Sequence, residues 1–550
     1  MIKDWKSFFP LAAPRAPQEQ AIEFALKALY EDDKDCVVLE LGLGVGKSAI
    51  AATLARYIEV NPFGLEEDDE FDNGTYILTS QKILQEQYVK DFSPPPCEMK
   101  NLVSSANFDC TGRPGAKCSD SMRVYSALGN RFPAGPREHC RKNCPYKKQK
   151  SDFLEGLIGV TNYAYFLSET MYAGQLKPRR LLVVDEAHNI EPNISKFVEL
   201  KISQLLSEKV LNVKFSKERD PVKFMAWVNK KYEPALAKYL KKLVVDIEKT
   251  QDDKNILKLS ERLETMDKHI CKVHRLQKTW DPKNWILNRE WTKDGSDSVT
   301  LKPIDVSAWT HDMLLAFGQK RILLSATILD KDFYMKSLGL NPTKTAFLHI
   351  DSPFDSKNKP IFYIPVGKMS YNSIEAVLPK VVDMVEELLN SHKDEKGIIH
   401  CVNFRIAEAI VSKIKNGRLL VQSKETNREA ILEAHKKAPG PTVLVSPSMT
   451  EGVDLKDDLS RFQIFCKVPF PSLADEVIKK KSEKDDRYYP YVTAQSIVQA
   501  TGRSVRNETD WAVTYILDAC VEDFLRRNKH LFPKSFRDSF QDIDGNIISF

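Results

Sequence analysis

No stretch of this chain approaches the ~18 consecutive apolar residues that a membrane span needs, so no membrane contact is expected. The opening Met1-Ile2-Lys3-Asp4-Trp5 lacks the apolar core of a secretion signal, which points to a cytoplasmic protein. Charge of one sign is also scarce. Lys and Arg number 81 and Asp and Glu 76, leaving +5. That balance does not by itself identify a nucleic-acid binder, although it leaves room for a local basic channel. No internal repeat of short period is visible. The ten cysteines of this long intracellular chain do not suggest a disulfide framework. At 550 residues the chain exceeds a single core, so about two to four domains are expected.

What is present is a phosphate-binding pattern. Asp35-Cys36-Val37-Val38-Leu39-Glu40-Leu41 reads as a short buried strand. Gly42-Leu43-Gly44-Val45-Gly46-Lys47-Ser48 follows and runs into a helical pattern, although Leu41 stands where the simple form of this pattern has its first glycine. Glycines let the backbone N–H groups curl around phosphates, and the helix N-terminus adds partial positive charge. Lys47 then suits the β- and γ-phosphates and Ser48 suits Mg²⁺. Leu181-Leu182-Val183-Val184-Asp185-Glu186-Ala187-His188 reads as a buried strand with two carboxylates at its carboxyl end, where open α/β sheets bind ligands. Asp185 is placed to serve Mg²⁺ and Glu186 to activate the attacking water. A plain helix cap at Asp185 is the bland alternative. Gln499-Ala500-Thr501-Gly502-Arg503-Ser504-Val505-Arg506 sets two arginines at i and i+3, one helical face, as an arginine finger requires. A phosphate site at one end of the chain and its finger at the other imply two domains closing on one nucleotide.

Cys110, Cys118, Cys140 and Cys144 cluster in a segment rich in Gly and Pro, which suggests an irregular, loop-rich fold held by a metal. Only Cys140 and Cys144 have the short spacing that zinc favours, so spacing leaves zinc and a [4Fe–4S] cluster open. Cys97 is taken as a non-ligand. Lys100, Arg113, Lys117, Arg123, Arg131, Arg137, Arg141, Lys142, Lys147, Lys148 and Lys150 make the region basic, and Tyr125, Phe132 and Tyr146 interleave aromatics. That composition suits single-stranded DNA, against a merely solvated basic surface.

Taken in order, these motifs resemble superfamily 2 helicases of the iron–sulfur branch that includes XPD and DinG. Further matches are Arg15-Ala16-Pro17-Gln18, Thr161-Asn162-Tyr163, Leu324-Ser325-Ala326-Thr327, Ser352-Pro353-Phe354 and Thr450-Glu451-Gly452-Val453-Asp454. The resemblance covers about residues 13 to 520, and the wording Arg-Ala-Pro-Gln is closer to DinG. It implies an adenine-side role for Arg15 and Gln18, and coupling of hydrolysis to domain motion by Ser325 and Thr327. Gly42, Gly44, Gly46, Lys47 and Ser48 would cradle the phosphates of ATP, with Mg²⁺ on Ser48 and Asp185. From the second domain, Glu451, Gly452 and Asp454 would touch nucleotide, metal or ribose. Gln499, Arg503 and Arg506 would meet the γ-phosphate and water, and Thr79 would touch DNA. It also implies a [4Fe–4S] cluster on Cys110, Cys118, Cys140 and Cys144.

The implied fold class is α/β, with two RecA-like parallel-sheet motor domains, an iron–sulfur insertion and a mainly helical arch. Motor domain 1 takes residues 1–95, 151–192 and 301–345, the iron–sulfur domain 96–150, the arch 193–300, and motor domain 2 346–550. Trp280, Trp285 and Trp291 are expected to pack the arch, and Asp294-Gly295 to turn a hairpin. The implied activity is that of an ATP-dependent DNA helicase, monomeric and moving 5′ to 3′ on single-stranded DNA. It would unwind forked or tailed duplexes in DNA repair or replication. Two rivals are a DNA-stimulated ATPase that remodels protein–DNA complexes without unwinding, and a zinc-bearing nucleic-acid-binding module.

Overall fold

The computed structural model describes residues 4–63, 70–93, 98–291, 295–415, 417–423, 428–447, 455, 457–502, 504–505 and 509–548, the side chain of Asn130 excepted. Among them are two parallel seven-stranded sheets and one antiparallel three-stranded sheet. The first sheet runs in the order Thr345–Ile350, Cys36–Leu41, Gly318–Ser325, Arg179–Asp185, Asp72–Thr79, Ile158–Asn162, Met99–Asn101. Its inner strands are near-continuous apolar runs because helices cover both faces. Cys36–Leu41 and Arg179–Asp185 are buried along their whole lengths. The second sheet runs Leu419–Val421, Val443–Ser446, Gly397–His400, Phe462–Phe465, Val513–Asp518, Ile361–Gly367, Phe540–Gln541. His400 ends the strand Gly397–His400 and Cys401 follows it, both buried.

Two strands fall across the expected domain edges. Thr345–Ile350 pairs in parallel with Cys36–Leu41, so the first sheet reaches past residue 345. Met99–Asn101 pairs with Ile158–Asn162, so the first insertion begins by adding an edge strand to the first sheet. The rest of that insertion differs from expectation. It is not loop-rich but carries three helices, Cys118–Leu128, Ala134–Lys142 and Pro145–Glu155. Two of its prolines start helices rather than prevent them. Pro133 is the N-cap of one helix and Pro145 the first residue of the next, where a missing N–H costs nothing.

The second insertion is built around two long helices, Glu233–Lys249 and Asp253–Lys278, packed against each other across a short connection. Asp252 starts the longer one by accepting a hydrogen bond from Asn255 N–H at 3.0 Å. At its base, Leu200–Ser203, Asp297–Pro303 and Trp285–Trp291 form the antiparallel sheet, which the sequence reading did not foresee beyond the hairpin. Trp285 packs between Trp280 and Trp309, with ring centroids at 6.3 and 5.6 Å. Trp291 breaks the expected pattern, since 75% of it is exposed.

Candidate active site and thiol cluster

Four carboxyl ends of the first sheet meet at the cleft between the two parallel sheets, a location where open α/β sheets place ligands. They deliver Gly42, Glu186, Thr327 and Ser352 to one cavity, and the second domain adds Gln499, Thr501 and Gly502. The phosphate loop is shaped by what presses on it. Gly46, with φ of +91°, leads directly into the helix Lys47–Val60. A Cβ there would lie 2.4 Å from Gln18 Nε2, and one on Gly42 would lie 2.3 Å from the Ser352 backbone N. A Gly44 Cβ would strike the Phe354 ring at 2.1 Å. Arg15 braces the loop from behind, donating from Nη2 to the carbonyls of Gly44 at 2.7 Å and Val45 at 3.1 Å. Gln18 is buried and accepts from Arg15 N–H at 2.9 Å. Arg15 and Gln18, expected on the adenine side, form a scaffold for the phosphate loop.

Asp185 sits at the bottom of the cleft, 3% exposed. Burial, and then the Glu186 carboxylate, push its acid group up to about 6, while Lys47 and the Tyr88 hydroxyl pull it back down. Tyr88 donates to Asp185 Oδ2 at 2.9 Å, and Tyr163 donates to the Asp185 carbonyl at 3.0 Å. A buried carboxylate raised in this way and facing a lysine and a serine is ready for a divalent cation. Ser48 lies beside Tyr88 in the same group. Glu186 has φ of +52°, a left-handed backbone rare for a glutamate and found where a site fixes its side chain.

From Glu186 a polar relay crosses the cleft. Glu186 Oε2 lies 3.4 Å from His188 Nδ1, which lies 2.9 Å from Ser325 Oγ. Ser325 Oγ accepts from Thr327 N–H at 3.0 Å. Thr327 is then held by two residues of the helix Tyr488–Thr501. Gln499 Nε2 donates to its Oγ1 at 2.9 Å, and Gln495 Nε2 donates to its carbonyl at 2.9 Å. Ser325, Thr327 and Gln499, each singled out from the sequence, meet here. Gln495, Tyr88 and Tyr163's contact with Asp185 were not anticipated. Gln495 could have been found as the residue one turn before Gln499 on the same helix face.

The helix carrying Gln499 ends at Thr501 with Gly502 as its cap. Arg503, Arg506, Glu451, Gly452 and Asp454 lie outside the described residues, as does Cys97. Asp510, a possible partner for Arg506 in an ordinary surface pair, carries Arg461 Nη1 at 2.8 Å.

Cys110, Cys118, Cys140 and Cys144 line one cavity, walled by Phe108, Tyr125 and Phe132. Cys118 opens one helix and Cys144 caps another, and their Sγ atoms are 3.9 Å apart. Burial, then the neighbouring Cys144, Cys110 and Cys140 thiols, push Cys118 up to about 12. Among the described residues, no three His, Cys, Asp or Glu side chains converge on one point tightly enough for a single metal ion. Four thiols around one cavity are a donor set for a thiolate-ligated metal centre.

The basic surface of this insertion is smaller than its composition implied. Arg113 pairs with Asp253 at 2.8 Å, and Arg123 with Glu264 at 2.6 Å and Glu261 at 3.4 Å, all on the long helix of the second insertion. Arg131 donates to the Glu248 carbonyl at 2.6 Å. The interleaved aromatics are not base-stacking platforms as they stand. Phe132 is 4% exposed and packs edge-on against Tyr125, and buried Tyr146 bonds the Tyr165 hydroxyl.

The match to the helicase C-terminal domain family covers residues 383–539. The ATP-dependent DNA helicase DinG of Photobacterium profundum is 24% identical over 46% of this chain and 40% of its own length. The ATP-dependent DNA helicase CHL1 of Scheffersomyces stipitis is 21% identical over 33% of this chain and 24% of its own. The chain thus spans no more than 40% of the length of either curated relative. A solved XPD helicase superposes with a TM-score of 0.66 at 16% identity, covering 97% of this chain and all of that one. Xpd4 of S. tokodaii gives 0.58 at 14% identity, covering 96% of this chain and all of its own. No described helix is long and apolar enough to cross a membrane. Two parallel-sheet domains with a phosphate loop, an Asp-Glu-Ala-His strand end and a helicase C-terminal match over residues 383–539 make this chain similar to superfamily 2 helicases of the XPD/DinG type.

Proposed function

We propose that the protein is an ATP-dependent DNA helicase that moves 5′ to 3′ along single-stranded DNA and unwinds forked or tailed duplexes in repair or replication. The observation that carries this reading is the relay from Glu186 through His188, Ser325 and Thr327 to Gln499 and Gln495. It ties the carboxylate beside the nucleotide to a helix of the opposite domain, so a change at the γ-phosphate is felt as a change in domain contact.

Lys47 neutralises the β- and γ-phosphates as they enter the loop. Ser48 and Asp185 would hold Mg²⁺, which supplies charge neutralisation on those phosphates when bound. Glu186 orients a water and accepts its proton as the water oxygen bonds to the γ-phosphorus and the bond to the ADP oxygen breaks. Arg503 and Arg506 stabilise the charge that develops. Loss of phosphate frees Gln499 and Thr327 to part, and the domains reopen.

Cys110, Cys118, Cys140 and Cys144 would hold a [4Fe–4S] cluster, which supplies a cross-link among the three helices of the first insertion. Two measurements test the reading. The purified protein should hydrolyse ATP faster with single-stranded DNA and separate a 5′-tailed duplex. Stimulated hydrolysis without strand separation would reduce it to a remodelling ATPase. Anaerobically purified protein should carry about four irons, lost in Cys118→Ser. Stoichiometric zinc without iron would overturn the cluster assignment.

A further inference from the structure

Lys359 stands where the chain leaves the first motor sheet and enters the strand Ile361–Gly367 of the second. Its side chain lines the same cavity as Gly42, Glu186 and Gln499. Among the described residues, its ammonium makes no ion pair and no hydrogen bond. The acid that acts on it is Asp351, but that carboxylate is already committed elsewhere. It accepts from Ser535 N–H at 2.8 Å, Ser535 Oγ at 2.5 Å and Ser352 N–H at 2.8 Å. Burial lowers the lysine below its ordinary value, and the Asp351 carboxylate offsets this only in part. A desolvated, unpaired cation is costly, and such groups collect at functional sites. The neighbouring exposed lysines Lys344 and Lys368 do have acidic partners, in Asp33 and Asp523.

We infer that Lys359 is a nucleotide-binding residue, whose ammonium takes the polyphosphate of a nucleoside triphosphate from the hinge between the two motor domains. Three placements support this choice of anion. The backbone of Asp351 and Ser352 abuts Gly42 of the phosphate loop. Ser352 Oγ donates to the Leu43 carbonyl at 2.8 Å, so the segment leading to Lys359 is fixed to that loop. The lysine is rooted on the second domain's side, since the carbonyl of the next residue, Pro360, accepts from Thr514 N–H at 2.9 Å. A triphosphate seated on the phosphate loop would be met by Lys359 across the cavity that Gly42 and Leu43 of that loop also line. The inference rests on the helicase reading of this cleft and adds a second cation to it.

The test uses the full chain without DNA. Affinity for the fluorescent triphosphate mant-ATP is measured for wild type, Lys359→Met, Lys359→Gln and Lys359→Arg. Loss of a charge-assisted hydrogen bond should weaken mant-ATP roughly tenfold or more in the Met and Gln variants. The Arg variant should stay within about threefold, and the affinity for a labelled oligo-dT should not change. The Met and Gln variants should melt no lower than wild type without nucleotide, because they remove a cation that is only partly compensated. Unchanged mant-ATP affinity in both would overturn the inference while leaving the helicase reading intact. Lost oligo-dT affinity with intact mant-ATP binding would assign Lys359 to DNA instead, and also overturn it. A wild type that does not bind mant-ATP at all would sink both.

Discussion

A single methyl group placed on Gly502 should uncouple the two motor domains. Gly502 caps the helix that carries Gln499, and a Cβ there would lie 2.0 Å from Leu43 Cδ1, with the Val498 carbonyl at 3.4 Å. Leu43 belongs to the phosphate loop of the other domain. It packs with Phe354, Val505 and Ala512 in a small apolar cluster across the cleft. In Gly502→Ala the leucine must swing out of that cluster or the domains must separate. Overpacking of this kind costs about 1–3 kcal/mol. At about 1.4 kcal/mol per tenfold, the closed state falls by roughly 5- to 150-fold. Hydrolysis needs the closed state, so kcat of DNA-stimulated ATPase should fall by that factor. The steric origin is tested by the double variant. In a Leu43→Ala background the methyl has room, so adding Gly502→Ala should cost little further, a coupling of about 0.5–3 kcal/mol. An equal deficit from Gly502→Ala in both backgrounds would refute the argument.

Lys47→Ala should abolish ATP turnover and leave oligo-dT affinity largely intact; near-normal stimulated hydrolysis would remove the nucleotide site from this loop. Arg506→Ala should lower kcat by on the order of 10³-fold with a much smaller effect on ATP affinity, as a group acting on transition-state charge must. Asp185 gives a pH signature. Its acid group is raised in the folded state, so the native protein holds a proton that the unfolded chain has released. Metal-free stability therefore falls as pH rises from the ordinary carboxylate range through about 6. Asp185→Asn lacks this loss and should melt higher than wild type at pH 7.5 in EDTA, by at most on the order of 3 kcal/mol, with the gap closing near pH 4. A gap independent of pH would contradict it.

The fold was legible because parallel strands buried on both faces write continuous apolar runs. Cys36–Leu41, Arg179–Asp185 and Gly397–His400 all follow that rule. The carboxylates and glycines at strand ends were legible for the same reason, since a strand end locates the cleft. Contacts between distant segments were not. Nothing local marks Tyr88 as a donor to Asp185, 97 residues away, or Gln495 as a donor to Thr327, 168 residues away. Composition misled in the first insertion. Gly115, with φ of +83°, and Gly129, with φ of +51°, do make turns. Pro133 and Pro145, which follow them, open helices, so a segment that counts as irregular is largely helical. Its charge misled too, because a sequence count cannot tell an arginine facing solvent from one facing the acidic side of another helix.

That last point relocates the surface that nucleic acid would meet on the first insertion. Arg113, Arg123 and Arg131 are turned toward the helices of the second insertion. Arg141, Lys147 and Lys148 are exposed and form no ion pair with a carboxylate among the described residues. All three lie within four residues of Cys144 in sequence, and Lys147 acts directly on Cys140. Positive charge without a carboxylate partner is therefore mounted beside the thiol cluster, and the paired charge braces one insertion against the other. Single-strand binding releases counterions with a log–log salt slope of about 0.7 per phosphate contact. The variant Arg141→Ala/Lys147→Ala/Lys148→Ala should flatten that slope by about 2 for oligo-dT. Arg113→Ala/Arg123→Ala should leave the slope unchanged and instead raise hydrogen exchange along Asp253–Lys278. The pairs lost there are half-exposed and worth about 1 kcal/mol each at most. Measuring binding from 50 to 300 mM salt separates the two, because a brace alters the amplitude of binding and only a phosphate contact alters its slope. If the arginine pair flattened the slope and the Arg141 group did not, the DNA-facing side of this insertion would be the one that now meets the helix.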